Sequence, residues 1–332
     1  MAMTYLLDDP SPQVRLALAQ AIAISPESPR DLVTFLAEDQ PEIACTIIAH
    51  SPVLTDADLV DLVGRGDCLT RGFVASRENI GRGVCAALAE VAGEGEIRIL
   101  LDNATARLPR RSLARIAERF GDCADIRGLL LEREDLPADV RHRLVILIGD
   151  ALANSDLVSA MLARPRLERI TREAGETAAI SLAGEMNREE IPALIEHMRV
   201  AGRLTPALLI QALCSGKVDF FAAAMVCLSG LDEKHVRALL ARGRMHAVRA
   251  LFESIGLGRP VATVFVEATM LRREDGAMGS HESVCELLLR KYADHAEDTD
   301  EVSHLLALIE RLQRMEVRLS ARSFATGSLL AA

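Results

Sequence analysis

Five arginines crowd one short stretch of the sequence: Arg107, Arg110, Arg111, Arg115 and Arg119. Arg107, Arg111 and Arg115 are four apart, so they line one face of a helix that begins early enough to include them. Such a stripe could meet an acidic protein surface or a phosphate backbone. A solvated helix face, its charges answered by Glu118 and neighbours, is the plainer and preferred reading. His281 and Cys285 are also four apart and could reach one metal ion, but no third ligand stands near them, so no metal is expected. The acidic groups Asp56, Asp58 and Asp61, and Glu297 to Glu301, read as carboxylates gathered at helix starts. The second group lacks the glycine and the later glutamate of a calcium loop. Gly81–Gly83 and Gly93–Gly95 carry no phosphate-loop lysine, and no GxSxG or nucleophilic cysteine context occurs. These residues predict neither a catalytic constellation nor a cofactor.

The 332 residues carry a formal net charge of −10, and all but three of the 38 basic residues are arginine. A nucleic-acid binder draws most of its affinity from neutralising phosphates, so this balance speaks against DNA or RNA as a partner, as does the lack of any Trp to stack on bases. Seven scattered cysteines without a CxxC read as small buried hydrophobes in a reducing compartment. The first residues have no signal-peptide pattern, and no stretch approaches the roughly 20 apolar residues of a membrane span. A cytoplasmic protein is expected.

Half of the chain is hydrophobic but only 3% is aromatic, so its core must be built from Ala, Leu, Val and Ile. Side chains of that size let helices approach closely. Leu7-Asp8-Asp9-Pro10, followed by Val14-Arg15, is echoed by Leu36-Ala37-Glu38-Asp39 and Pro41-Glu42-Ile43. A weaker echo links Leu100-Leu101-Asp102 with Leu130-Leu131-Glu132. In each, a leucine-rich helix end runs into an acidic turn and the chain returns. One such hairpin cannot bury both its faces, so it must stack on its neighbours. The spacing predicts an all-α chain of short antiparallel hairpins. Asp9 and Asp39 hold equivalent places, and each is expected to accept a backbone N–H at the start of the following helix.

Cap signals place more helix starts: Ser28-Pro29, Thr55, Asp232 and Thr205-Pro206. Beyond residue 150 the repeat fades. A helical stretch over 164–202 breaks near Asn187, which could cap the next helix. Four short helices are expected over 202–258, divided at Gly216, Gly230 and Gly243. Arg272–Ser280 reads as a loop, and the tail after Phe324 as frayed. The paired Phe220 and Phe221 are expected to anchor the C-terminal core, with at least one of them deeply buried. The predicted divisions are helical repeats over 1–150, a helical continuation over 151–272, and a C-terminal helical pair over 281–320. The apolar stripe of 302–319 suits a cap for a repeat stack, and alternatively a seam for a homodimer.

Several of these stretches together resemble an uncharacterised bacterial family known as domain of unknown function 2336. Leu7-Asp8-Asp9-Pro10, Leu36-Ala37-Glu38-Asp39, Ser51-Pro52-Val53-Leu54-Thr55 and Asp135-Leu136-Pro137 are similar to its N-terminal part. Gly202-Arg203-Leu204-Thr205-Pro206, Leu213-Cys214, Gly216 and Phe220-Phe221 are similar to its C-terminal part. The resemblance implies a HEAT-like α-α superhelix and brings no catalytic residue or ligand with it.

The expected function is a non-catalytic protein-interaction scaffold that binds a protein partner along its helical array. Arg107, Arg111 and Arg115 are candidate partner contacts, and Asp9, Asp39, Thr205, Pro206, Phe220 and Phe221 are structural. Two alternatives remain open: a nucleic-acid-binding solenoid using the Arg107–Arg119 face, and a small-ligand sensor with a pocket between its two halves.

Overall fold

The structure is a computed structural model that describes residues 2–278, 283–293 and 300–330. Every regular element among them is helical, and the chain divides into two compact units, Met1–Val158 and Ser159–Ala332.

The first unit contains α1 (Ala2–Leu7), α2 (Pro12–Ile22), α3 (Arg30–Ala37), α4 (Pro41–His50), α5 (Asp56–Arg65), α6 (Cys68–Ser76), α7 (Arg82–Val91), α8 (Glu94–Asp102), α9 (Arg110–Phe120), α10 (Ala124–Glu132) and α11 (Ala138–Ala153); α12 (Asp156–Met161) crosses the boundary. Helices of about ten residues are marginal alone and need packing to persist. Here most of them pack on the helix two places along, while α3 packs mainly on α4. One row runs α2, α4, α6, α8, α10, and the other α5, α7, α9, α11. The apolar positions explain this. Ile43, Ile47 and Ile48 of α4, Val84, Cys85 and Leu88 of α7, and Ile97 and Leu100 of α8 are enclosed, spaced by three and four. Each such leucine or isoleucine contributes roughly 2 kcal/mol when buried.

A second device joins successive turns of the array. The last carbonyls of a helix have no partner within it. Arg77, at the end of α6, donates to the carbonyls of Ile48 and Ser51 at the end of α4. Asn103, at the end of α8, donates to Ala75 and Arg77 at 2.9 and 2.7 Å. Arg119 of α9 donates to Ala89 and Ala92 at 2.7 and 2.8 Å, closing the end of α7. These three helix ends are thus satisfied by a side chain at or near the helix two places on, whereas the ends of α9 and α10 are met by Arg127 and Arg141 of the next helix.

At the chain's start, the Asp9 carboxylate accepts the Ser11 N–H at 2.8 Å and Asp39 accepts the Gln40 N–H at 2.7 Å. Both donors are the residues that lead directly into a helix, α2 and α4. Arg15 links the two turns, donating to the Asp9 carbonyl and, through both sides of its fork, to Asp39. Ser28 behaves differently from its expected role: Pro29 precedes α3, and the Ser28 hydroxyl donates back to the Ile22 carbonyl at the end of α2. Thr55 forms a complete capping box with Asp58.

The second unit contains α13 (Arg164–Glu185), α14 (Ile191–Val200), α15 (Pro206–Cys214), α16 (Val218–Ser229), α17 (Glu233–Arg242), α18 (Met245–Ser254), α19 (Arg259–Met278), α20 (Val284–Tyr292) and α21 (Asp300–Leu330). α15 is apolar on all sides but for the buried Gln211 and is enclosed from Leu208 to Cys214, so it becomes the central helix, against α16, α19 and α21. Thr205 caps it by accepting the Leu208 N–H, and Pro206 fills its first position. At its end Gly216 takes φ 71°, letting Lys217 N–H reach the Ala212 carbonyl. Phe220 and Phe221 are both 1% exposed. Phe221 stands edge-on to Phe252 with centroids 6.1 Å apart, and Phe252 is 5.6 Å from Phe265. α20 and the first half of α21 share this same core through Val284, Cys285, Val302 and Ile309.

Three sequence expectations change here. The 272–280 stretch is helical through Met278, because Arg272 and Arg273 fasten it. Arg272 donates to the Leu213 and Cys214 carbonyls of α15, and Arg273 to Leu239, Leu240 and Gly243 of α17. Asn187 sits in the turn before α14, whose cap position is Glu190. α21 runs past Phe324 to Leu330. The pairing of His281 with Cys285 falls partly outside the described residues, since His281 is not among them; Cys285 is fully enclosed.

Candidate functional site

Two of the concave surfaces, one in each unit, bear on function; a further hollow beside Asp9, Arg15 and Asp39 is occupied by the pairing of Arg15 with Asp39. The larger of the two is a cleft of about 1120 Å³ within the second unit. One face of α13 supplies Arg169, Arg172, Glu173 and Glu176, which follow the three-and-four spacing of a single helix side. The opposite wall is the first half of α21, and the entry to α15 and the link Gly256–Gly258 complete the lining. Pro206, Leu257, Val261, Leu305 and Leu308 give it an apolar floor. Arg311 of α21 reaches Glu173 of α13 at 2.8 Å, tying the two walls together.

Glu176 is the distinctive group in this cleft. It is only 8% exposed, and its Oε1 accepts the Thr205 hydroxyl at 3.2 Å. Burial pushes its carboxyl above the usual glutamate range, against the opposing pull of Thr205 and Arg172. Thr205 therefore does two jobs: it caps α15 and binds Glu176. A titratable carboxyl held above its usual range in the wall of a large cleft is a common mark of a binding or catalytic site. Nothing in the sequence around Glu176 distinguishes it from the other charges of α13; its burial depends on α15 lying against it.

The second surface is a concavity of about 540 Å³ in the first unit, lined by Arg82, Arg107, Arg110, Arg133 and Asp135 over Ala104, Ala106, Leu108 and Pro109. Here the expected arginine stripe comes apart. α9 begins at Arg110, so Arg107 lies in the preceding loop and does not share a helical face with Arg111 and Arg115. Pro109 sets that start, because its fixed φ suits the entry to a helix. Arg115 is committed to Glu90 through both sides of its fork, at 2.8 and 2.9 Å, and to Glu118. Arg119 closes the end of α7, and Arg111 is exposed. Arg107 instead faces the same hollow as Arg82 and Arg133, which sequence reasoning passed over. Arg82 and Arg110 each open a helix of the same row, but the spacing of the sequence echoes sets Arg82 against Ser112, so no sequence signal paired them.

Among the described residues, no group of three His, Cys, Asp or Glu side chains is placed to hold a metal, and no helix is long and apolar enough to cross a membrane. Neither a curated protein nor a solved structure matches the chain. A family model does, over residues 43–316, a span that contains both concavities and begins after the Asp9 and Asp39 turns. By that match the chain belongs to an uncharacterised protein family conserved in bacteria, domain of unknown function 2336.

Proposed function

We propose that this chain is a non-catalytic, cytoplasmic interaction scaffold whose first unit is a HEAT-like superhelix that binds a protein partner across successive helices. The observation that carries the reading is an apolar strip on neighbouring members of one row. Leu69 of α6 is 53% exposed and Ile99 of α8 is 39% exposed. Ile99 reaches over α6 so closely that a methyl group on Gly72 would stand 3.5 Å from it. The hydrophobic core of this unit is closed by the packing of the two rows, and neither side chain belongs to it. Apolar surface shared between repeats is the usual docking surface of a repeat array.

The test is site-specific photocrosslinking in the native cell from positions 69 and 99, with the exposed Arg111, on a helix of the other row, as the control. The expected result is one protein captured from both 69 and 99 and not from 111. Capture of nothing, or of unrelated proteins from the two positions, would overturn the reading.

A second reading, a small-ligand sensor, is favoured by one observation, the cleft that contains Glu176. Its floor is apolar, charged side chains of α13 and α21 line its walls, and its volume is near the upper range of small-molecule sites. Pairing of two copies through α21 is supported by Met315, Val317 and Leu319, which remain 41%, 62% and 59% exposed beyond the part of that helix that enters the core.

A further inference from the structure

We propose that Arg82, Arg107, Arg110 and Arg133 form a binding site for the dianionic phosphate of a phosphate monoester. The four side chains come from three turns of the array. Arg82 opens α7, Arg107 and Arg110 flank the entry to α9, and Arg133 follows α10. The fold brings them around one hollow whose floor is uncharged.

The local charge is the first support. Asp135 is the acid that lines the hollow, and Arg133 holds both of its oxygens, at 2.8 and 2.9 Å. Arg110 gives one Nη to Asp139 at 2.6 Å and keeps its remaining N–H groups. Arg82 and Arg107 are exposed at the rim. Counting Asp56 beside the start of α7 with Asp135 and Asp139, four guanidiniums thus stand against three carboxylates, an excess of positive charge in a chain whose net charge is −10. Guanidinium forks match phosphate oxygens in pairs, which a point charge cannot do.

The helix ends are unequal. α9 enters with no acidic residue in its first turn and no side-chain cap, so its positive end adds to the field of the hollow. α7 contributes less, because the Asp56 carboxylate already stands against Gly81 at its start. The guanidiniums, not a helix end, make the site.

Compactness selects the ligand. A nucleic-acid backbone needs cations repeated along a track. The residues that would extend such a track, Arg115 and Arg119, are spent on Glu90, Glu118 and the carbonyls of α7. What remains is a single convergent point, suited to one doubly charged group. That group could be carried by a small phosphorylated metabolite or by a phosphorylated side chain of a protein.

The experiment is calorimetric titration of the full chain with inorganic phosphate, a nucleoside monophosphate and a phosphoserine peptide paired with its unphosphorylated form. The variants are R82A/R107A and R111A. The expected result is saturable binding, weakened about tenfold or more by R82A/R107A and unchanged by R111A. A phosphoserine peptide that outbinds both free phosphate and its unphosphorylated form identifies a protein source; a tighter nucleoside monophosphate identifies a free one. No binding, equal loss in both variants, or a single-stranded oligonucleotide that outbinds every monoester would overturn the proposal. The proposal is independent of the scaffold reading: crosslinking from 69 and 99 could fail while phosphate binding stands, or the reverse.

Discussion

Arg119 and Arg111 lie on the same helix and differ in everything but type. The first spans two backbone carbonyls and stacks over Phe120 with its guanidinium carbon 4.7 Å from the ring centroid; the second is exposed. Lysine cannot reproduce that fork, so Arg119→Lys is expected to cost about 1 kcal/mol or more in urea unfolding, and Arg111→Lys less than about 0.5. Equal effects would contradict the carbonyl-bridging role. Phe221→Ala should cost about 3–5 kcal/mol, since the ring is enclosed and touches two others. Glu176 gives a pH signature. Its folded carboxyl is raised by burial, so the stability it contributes is present at low pH and is lost as pH rises through that raised value. Unfolding free energy should therefore decline above the ordinary glutamate range in the parent chain, and Glu176→Gln, which keeps the acceptor for Thr205, should flatten that decline. A parallel slope in both proteins would remove Glu176 as its cause. The capping roles of Thr55, Asp232 and Thr205 were legible because a cap and its helix are adjacent in sequence. The role of Arg119 was not, because its acceptors are backbone atoms 27 and 30 residues away, with no side-chain signature.

At the scale of elements, local chemistry predicted helix boundaries well where glycine turns divide them. α15 to α18 break near Gly216, Gly230 and Gly243 as expected. It failed where tertiary bonds override propensity. The sequence after Arg272 favours a turn, yet two guanidiniums bonded to neighbouring helix ends hold it helical through Met278. α21 divides into two functional halves by burial. Ile309 is fully enclosed and Leu319 is 59% exposed. Ile309→Ala should cost about 2–5 kcal/mol, and Leu319→Ala should stay within about 0.5 in the monomer. The exposed half also carries the pairing proposal, which light scattering decides. If two copies pair through it, Leu319→Glu halves the mass without altering the circular dichroism spectrum; an unchanged mass would rule pairing out.

For the molecule as a whole, the two units are built on different principles. In the first, most helices meet the one two places on, in the rows α2 to α10 and α5 to α11. The second gathers helices around the apolar α15 and a cluster of phenylalanines. The all-helical character of both units was legible in the sequence, because Leu-rich helix ends and acidic or proline-containing turns are local signals. The cleft left no such signal, since its walls come from segments more than a hundred residues apart, as the contact between Arg311 and Glu173 shows. In the proposed function the chain works by holding a protein partner. Native mass spectrometry of the chain purified at its natural abundance, under conditions that preserve complexes, tests this most directly. The account predicts a stoichiometric complex with a second protein that dissociates when Leu69 and Ile99 are replaced by glutamate; a chain found at every concentration only alone or with its own copies would contradict it.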